Sequence, residues 1–145
     1  MTKTSKKEKI KEISIGVDDS VLQALKRMDE TFKRLLLVFK GNRFYNLLSI
    51  GDIQRAIIQN KSLDTPVREI LRKDPTLSYE SEPFSLIKER MLEYITECMP
   101  VLNDEKDLVD VYFWEDIFTS EETRINRELN LPVVIMAGGK GKRLK

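Results

Sequence analysis

A hydroxyl and a carboxylate stand three residues apart where an apolar stretch changes into a helical pattern. The stretch Phe44–Leu48 is followed by Ser49 and Asp52, and the next apolar residues share one helix face. The free N–H groups at a helix N-terminus suit a phosphate, and a carboxylate in the first turn can accept hydrogen bonds from both hydroxyls of a ribose. Alternatively, Asp52 only caps its helix, which is worth about 1 kcal/mol. These residues alone leave the choice between a nucleotide-binding corner and a cap open.

The composition limits the chemistry that the chain can perform. Its 145 residues, 41% hydrophobic and 34% charged, indicate a globular protein of one domain or of two small halves that share a core. A net charge of +1 gives no reason to expect a nucleic acid or membrane partner, and the longest apolar run, Leu35–Phe39, is too short to span a membrane. The absence of histidine excludes histidine-based zinc sites and catalytic triads, and no metal site is predicted. A lone Cys98 and an N-terminus without an apolar core predict a cytoplasmic protein.

Periodicity and turn residues predict the order strand, helix, strand, strand, helix, followed by the same order again. Residues 1–12 carry five lysines and are predicted to be a solvated lead-in. The first set comprises a strand at 13–15, a helix Val21–Thr31, strands Leu35–Phe39 and Phe44–Ser49 around a Gly41-Asn42 turn, and a helix Gly51–Gln59. The second comprises a strand Thr76–Tyr79, a helix after Pro83, strands Pro100–Leu102 and Leu108–Phe113, and a helix or turn from Glu115.

The two sets align at a constant spacing of 64 residues. The matched pairs are Asp52 with Asp116, Leu22 with Leu86, Met28 with Leu92, Leu36 with Pro100 and Ile53 with Ile117. Leu22, Leu25 and Met28 are predicted to form the core face of the first helix. Matched positions without a gap predict a duplicated unit in which each copy buries its open face on the other. The predicted fold class is therefore α/β (α+β), with tandem β-α-β-β-α repeats at residues 1–65 and 66–118 packed as a pseudo-two-fold pair.

These repeats resemble a pair of CBS domains, also called a Bateman module. The segment LLSIGDIQRAI, residues 47–57, resembles the family signature, and Met99–Leu102 resembles its Pro-Val strand. The resemblance implies a cleft between the halves that binds an adenine or guanine nucleotide as a regulatory ligand, and a homodimer formed through the helices. It places Asp52 on the ribose hydroxyls, Ser49 near the phosphate or sugar, and Asp116 at the matching ribose position of the second copy.

Two further basic residues and one aromatic residue complete the site that this resemblance implies. Lys33 and Arg34 occupy a region that can reach the phosphates, although they also fit an ordinary solvated helix end. In the second copy Phe113 stands where the family has a hydroxyl residue, and a phenyl ring cannot donate a hydrogen bond to a phosphate. One nucleotide site is therefore expected rather than two.

Residues 131–136 fit a buried strand, and the following segment, AGGKGKRL, is a glycine-rich loop with basic residues. This strand and loop resemble the opening of the sugar-phosphate nucleotidyltransferases, including those that make GDP-mannose. The resemblance implies that Gly138, Gly139 and Gly141 cradle a nucleoside triphosphate and that Arg143 stabilises its phosphates, with Mg²⁺ in the parent enzyme. The alternative is a flexible basic tail.

Together these resemblances predict a regulatory module cut just after the start of a catalytic domain. Residues 119–130 are predicted to be a helical linker, and residues 131–145 are too few to form an active site, so the chain itself is expected not to be an enzyme. The first hypothesis is that a nucleotide changes the packing of the repeats and that the linker transmits the change to the transferase. The rival hypothesis is an assembly module that dimerises and binds no ligand.

Overall fold

The structure, a computed structural model, describes residues 5–118. Its elements are α1 (Lys6–Glu12), β1 (Ser14–Gly16), α2 (Val21–Thr31), β2 (Leu35–Lys40), β3 (Arg43–Ser49), α3 (Ile50–Ile58), a 3-10 turn (Val67–Glu69), β4 (Ser78–Tyr79), α4 (Phe84–Tyr94), β5 (Cys98–Leu102), β6 (Leu108–Phe113) and α5 (Trp114–Phe118). The predicted linker at 119–130 and the predicted strand and phosphate loop at 131–145 lie outside the described residues.

Two three-stranded sheets repeat one topology. In the first sheet β1 pairs in parallel with β2, and β2 pairs in antiparallel with β3; β4, β5 and β6 are related in the same way. A helix connects each parallel pair, α2 in the first repeat and α4 in the second. The β2–β3 turn contains Gly41 at a φ of 61°, a left-handed conformation that favours glycine. This arrangement confirms the predicted fold class of tandem β-α-β-β-α units.

Equivalent residues of the two repeats are 63 positions apart before the β5–β6 turn and 64 positions apart after it. The predicted constant spacing of 64 residues is therefore wrong before that turn. α2 and α4 end in left-handed residues, Phe32 and Ile95, that are 63 residues apart. Ser49 and Phe113, at the ends of β3 and β6, are 64 residues apart. The extra residue therefore lies in the turn Asn103–Asp107, where chain length is least constrained because the turn is not packed in a sheet.

Burial agrees with the spacing of 63 residues and corrects the predicted core faces. Met28 is equivalent to Met91, and both are buried, whereas Leu92, its predicted partner, is 49% exposed. Leu22 and its predicted partner Leu86 are also exposed. The α2 face that packs on the sheet consists of Val21, Ala24 and Met28, with Leu25 partly buried beside it.

The two repeats share one hydrophobic core. Three residues of the second sheet, Cys98, Val111 and Phe113, pack in the same cluster as Leu36 and other buried residues of the first repeat. A smaller cluster under α4 contains Ile87, Met91, Met99 and Val101. Because one core crosses the boundary between the repeats, their relative placement is set by apolar packing.

The basic lead-in is not fully solvated: residues 6–12 form α1, which contacts the second repeat. Ser5 and Glu8 close a reciprocal capping box at its start. The helix contacts β6 of the second repeat, where Lys6 Nζ lies 2.6 Å from Asp110 Oδ1. The Ser5/Glu8 spacing was a visible signal for this helix, but the run of lysines favoured a solvated segment.

Candidate functional site

A cavity of about 580 Å³ lies between the repeats where β3 ends and α3 begins. Its lining residues come from both repeats and from the loop that joins them: Lys33, Arg34, Leu35, Leu47, Ser49, Ile50, Arg72, Pro75, Thr76, Tyr94, Ile95, Thr96, Glu97, Trp114 and Glu115. The walls thus combine aromatic and aliphatic groups with three basic side chains and two carboxylates. This mixture is typical of sites for small molecules that carry a ring and an anionic group.

Equivalent backbone hydrogen bonds bring the polar lining residues together. The N–H of Ile50 donates to the carbonyl of Arg34 at 2.9 Å, which places the start of α3 beside the start of β2. The N–H of Trp114 donates to the carbonyl of Glu97, also at 2.9 Å, in the second repeat. Three of the predicted site residues, Lys33, Arg34 and Ser49, consequently lie on the wall of one cavity.

The three basic side chains at the cavity differ in how far they are neutralised. Lys33 Nζ lies 2.8 Å from Glu115 Oε2, and its hydrogen bond lowers the pKa of that carboxyl despite partial burial. Arg72 is paired with Asp52 at 3.1 Å. The Arg34 backbone N–H donates to Glu97 at 2.8 Å, but its guanidinium has no ion pair or hydrogen bond within residues 5–118. Arg34 therefore provides an unneutralised cation at the cavity wall.

Asp52 lies behind the cavity wall and is almost completely buried. Its Oδ2 accepts hydrogen bonds from the Ser49 N–H and Oγ, both at 2.8 Å, while the Ser49 Oγ accepts from the Asp52 N–H and closes a capping box. Arg55 and Arg72 both donate to its Oδ1. Burial raises the pKa of Asp52, but the hydrogen bonds from Ser49 and Arg72 outweigh burial and hold it below its usual value. Asp52 faces a separate cavity of about 240 Å³ rather than the larger one.

Arg72 is the site residue that the sequence did not reveal. It lies in the loop after the 3-10 turn, and its Nη2 lies 2.6 Å from Ser49 Oγ and 3.2 Å from Asp52 Oδ2. No helical or strand periodicity links Arg72 to Asp52, which is 20 residues away. The contact depends on the path of a loop, so no local pattern could have predicted it.

The corresponding corner of the second repeat is occupied by α1. Lys9 Nζ lies 2.8 Å from Asp116 Oδ1 and 3.5 Å from Glu115 Oε1, and its hydrogen bond with Asp116 raises the pKa of Lys9. The same ammonium lies 5.3 Å from the centre of the Phe113 ring. Phe113 is 2% exposed and belongs to the shared core. Asp116 is therefore not brought into the large cavity with Ser49.

The remaining predictions concern the phosphate loop, metal sites, membrane-spanning helices and the lone cysteine. Gly138, Gly139, Gly141 and Arg143 lie outside the described residues. Between residues 5 and 118 no cluster of three or more metal-ligating side chains occurs. In the same range no helix has both the length and the apolarity needed to cross a membrane. Burial raises the pKa of the Cys98 thiol to about 12, so this thiol carries no charge near neutral pH.

Comparison with known proteins identifies the fold. Residues 8–59 match the family model of the CBS domain. A CBS domain protein from Pyrobaculum aerophilum complexed with AMP is 20% identical, with 75% of this chain and 85% of that chain covered and a TM-score of 0.60. CbpB in complex with c-di-AMP is 14% identical, with 73% of each chain covered and a TM-score of 0.62. A putative signal-transduction protein with CBS domains from Burkholderia ambifaria is 23% identical, with 77% and 86% covered and a TM-score of 0.59.

The described chain therefore has the fold of a tandem CBS domain pair, of which the first repeat matches the family model in sequence. No curated protein matches the sequence. At identities below 25% the solved structures establish the fold alone, and the function has to be argued from the cavity.

Proposed function

We propose that this chain is a regulatory module that binds an adenine or guanine nucleotide in the cavity between its repeats. The observation that carries the proposal is the lining of the 580 Å³ cavity, which combines the unpaired Arg34 with the aromatic residues Tyr94 and Trp114. A base can stack on the aromatic and aliphatic walls while a phosphate is held by the basic side chains. The AMP and c-di-AMP complexes of proteins with this fold support the same ligand class.

One nucleotide per chain is expected. In the second repeat the position equivalent to Ser49 is Phe113, and the carboxylate equivalent to Asp52 is neutralised by Lys9. This corner therefore has neither the hydroxyl nor the guanidinium that the first repeat places at the cavity, and Asp116 does not line the 580 Å³ cavity. Ser49 and the basic residues Arg34 and Arg72 line one cavity, whereas a phenyl ring takes the position of Ser49 in the second repeat.

The binding proposal can be tested through Trp114, because it is the only tryptophan and it lines the cavity. AMP, GMP, ADP, GDP, ATP, GTP and c-di-AMP would be titrated while Trp114 fluorescence and the thermal unfolding midpoint are recorded. We expect one of them to change the fluorescence saturably and to raise the midpoint, since a ligand at a hundred times its Kd adds about 2.7 kcal/mol of stability.

A pair of matched variants locates the binding. Arg34→Ala should weaken binding by about tenfold or more, because a hydrogen bond to a charged group is lost. Arg27→Ala removes the same charge from an exposed position of α2 outside the cavity and should leave the affinity unchanged. No response to any nucleotide, or equal effects of the two variants, would contradict the proposal. In that case the ligand-free dimerisation module becomes the better explanation, and the exposed Ile57 and Ile58 of α3 become the surface to test.

The regulated partner that we propose is a fused sugar-phosphate nucleotidyltransferase of the GDP-mannose type. The support is the sequence resemblance of residues 131–145, with Gly138, Gly139, Gly141 and Arg143 as the phosphate loop and Mg²⁺ as the expected metal of the parent enzyme. The CBS pair itself is a non-catalytic module, so this chain should release no pyrophosphate from a nucleoside triphosphate and a sugar 1-phosphate. An enzyme that carries this module should change its rate when the nucleotide identified through Trp114 is added; an unchanged rate would contradict the regulatory role.

A further inference from the structure

We infer that Arg72 binds the phosphate of a nucleotide beside Ser49. This chain then recognises the nucleotide by its phosphate and not by a contact between its ribose hydroxyls and Asp52. The inference rests on the proposed function and specifies which part of the ligand the corner contacts. It also assigns a specificity-determining role to a loop residue that no sequence pattern indicated.

Asp52 has no acceptor position left for a ribose. An ionised carboxylate offers about four lone-pair sites. Oδ1 accepts from Arg55 and from the Arg72 Nε, at 3.2 Å for the latter. Oδ2 accepts from the Ser49 N–H, the Ser49 Oγ and the Arg72 Nη2. A ribose diol could bind Asp52 only if Arg72 left, and the chain would then lose part of the charge compensation of a carboxylate that is 2% exposed.

Arg72, in contrast, has donors left for a ligand. A guanidinium carries five N–H donors, of which Nε and Nη2 are used on Asp52 and Ser49. Its Nη1 makes no hydrogen bond to any residue from 5 to 118, and the side chain is 40% exposed at the wall of the 580 Å³ cavity. Asp52 therefore holds the guanidinium in one orientation, and the remaining N–H groups are available to a phosphate oxygen.

The basic side chains of the cavity match this assignment. Arg34 is unpaired within the described part of the chain, and Lys33 is balanced by Glu115. Because Arg72 and Arg34 line the same cavity, a phosphate bound there has charge-assisted donors available without breaking the Asp52 network. The fixed orientation of Arg72 reduces the conformational entropy that binding would otherwise cost.

The decisive experiment compares ligands on the unaltered chain, so it does not depend on the folding of a variant. AMP and GMP would each be titrated against Trp114 beside the matching 2′-deoxynucleotide and the matching nucleoside. We expect the 2′-deoxynucleotides to bind within about twofold of the parent nucleotides and the nucleosides to bind at least about tenfold more weakly. The reverse order, with the deoxynucleotides weakened and the nucleosides not, would overturn the inference while leaving the proposed function standing.

Two arginine variants then separate ligand contact from support of Asp52. Arg72→Gln should weaken nucleotide binding at least about tenfold and reduce the difference between nucleotide and nucleoside. Arg55→Gln is the matched control, because Arg55 also pairs with Asp52 but does not line the larger cavity; it should change the affinity less than twofold. Tighter binding by Arg72→Gln would show that Arg72 competes with the ligand and would overturn the inference. If no nucleotide binds at all, the proposed function fails together with it.

Discussion

At the scale of single residues, the sequence position of Asp52 left a helix cap and a ribose contact undecided, and the structure shows the cap directly. Asp52 caps α3, and it also anchors two arginines from different parts of the chain. The buried carboxylate is stabilised in its charged form by Ser49 and Arg72, so its ionisation is coupled to folding.

The coupling predicts the direction of a pH effect. The folded-state pKa of Asp52 is depressed, so its contribution to stability is present above its unfolded pKa, about 4, and is lost as the pH falls through the lower folded value. Urea unfolding at several pH values should show that Asp52→Asn lowers the free energy of unfolding by about 1 to 3 kcal/mol near neutral pH. The difference between the two proteins should shrink as acid protonates Asp52. A difference that is the same at all pH values would contradict the prediction. The pKa values of Glu82, which accepts a hydrogen bond from Arg90, and of Glu115 are also lowered, and the comparison with the variant cancels their contributions because both proteins contain them.

At the scale of secondary-structure elements, α1 determines how the two repeats differ. The repeats have the same strand and helix order, but a helix of seven residues precedes the first repeat and reaches the second. Its Lys9 pairs with Asp116 at 2.8 Å and lies 3.5 Å from Glu115, at the corner equivalent to the proposed nucleotide site. The two equivalent corners of this duplicated fold therefore differ, since Arg72 contacts the first and α1 contacts the second.

The attachment of α1 should depend on Lys9 rather than on the positive charge of the helix in general. Lys9→Ala removes the contacts with Asp116, Glu115 and Phe113, and amide hydrogen exchange over residues 6–12 should become faster. The loss of global stability should be about 1 kcal/mol or less, because these ion pairs are partly exposed. Lys11→Ala changes the same charge on the same helix at an exposed position and should leave the exchange rates close to those of the unaltered chain. Equal acceleration in both variants would show that Lys9 does not hold α1 in place.

At the scale of the whole molecule, the shared core makes the two repeats one cooperative unit. Cys98, Val111 and Phe113 of the second repeat pack with residues of the first, so neither sheet can lose its partner without exposing apolar surface. A ligand that changes the packing across this core would act on both repeats together, as the regulatory proposal requires.

A core substitution in one repeat should therefore lower the free energy of unfolding of both repeats together. Leu36→Ala, at a fully buried position of the first repeat, should lower the free energy of unfolding by about 2 to 5 kcal/mol. The shift should be the same by far-UV circular dichroism, which follows both repeats, and by the fluorescence of Trp114, which reports on the second. Leu92→Ala is the control, since Leu92 is 49% exposed, and it should change stability by about 0.5 kcal/mol or less. Two separate transitions, with Trp114 unaffected by Leu36→Ala, would contradict a single cooperative unit.

Local sequence patterns predicted the parts of this molecule that depend on local interactions. Apolar periodicity located α2 from Val21 to Thr31 and β6 from Leu108 to Phe113, because burial of one face acts on neighbouring residues. The Ser49–Asp52 spacing left a cap and a nucleotide-binding corner open, and the structure shows a reciprocal capping box in which Ser49 is the N-cap of α3. The predicted match of Met28 with Leu92 was wrong because a single extra residue in a turn changes the alignment without changing the pattern on either side.

The sequence by itself determined the duplicated β-α-β-β-α order and the exclusion of histidine chemistry. Only the tertiary structure decided that Arg72 contacts Asp52 across 20 residues and that Lys9 contacts Asp116 across 107 residues. The physical reason is that helix and strand patterns follow from the preferences of near neighbours, whereas the charges around a cavity are brought together by the packing of distant segments.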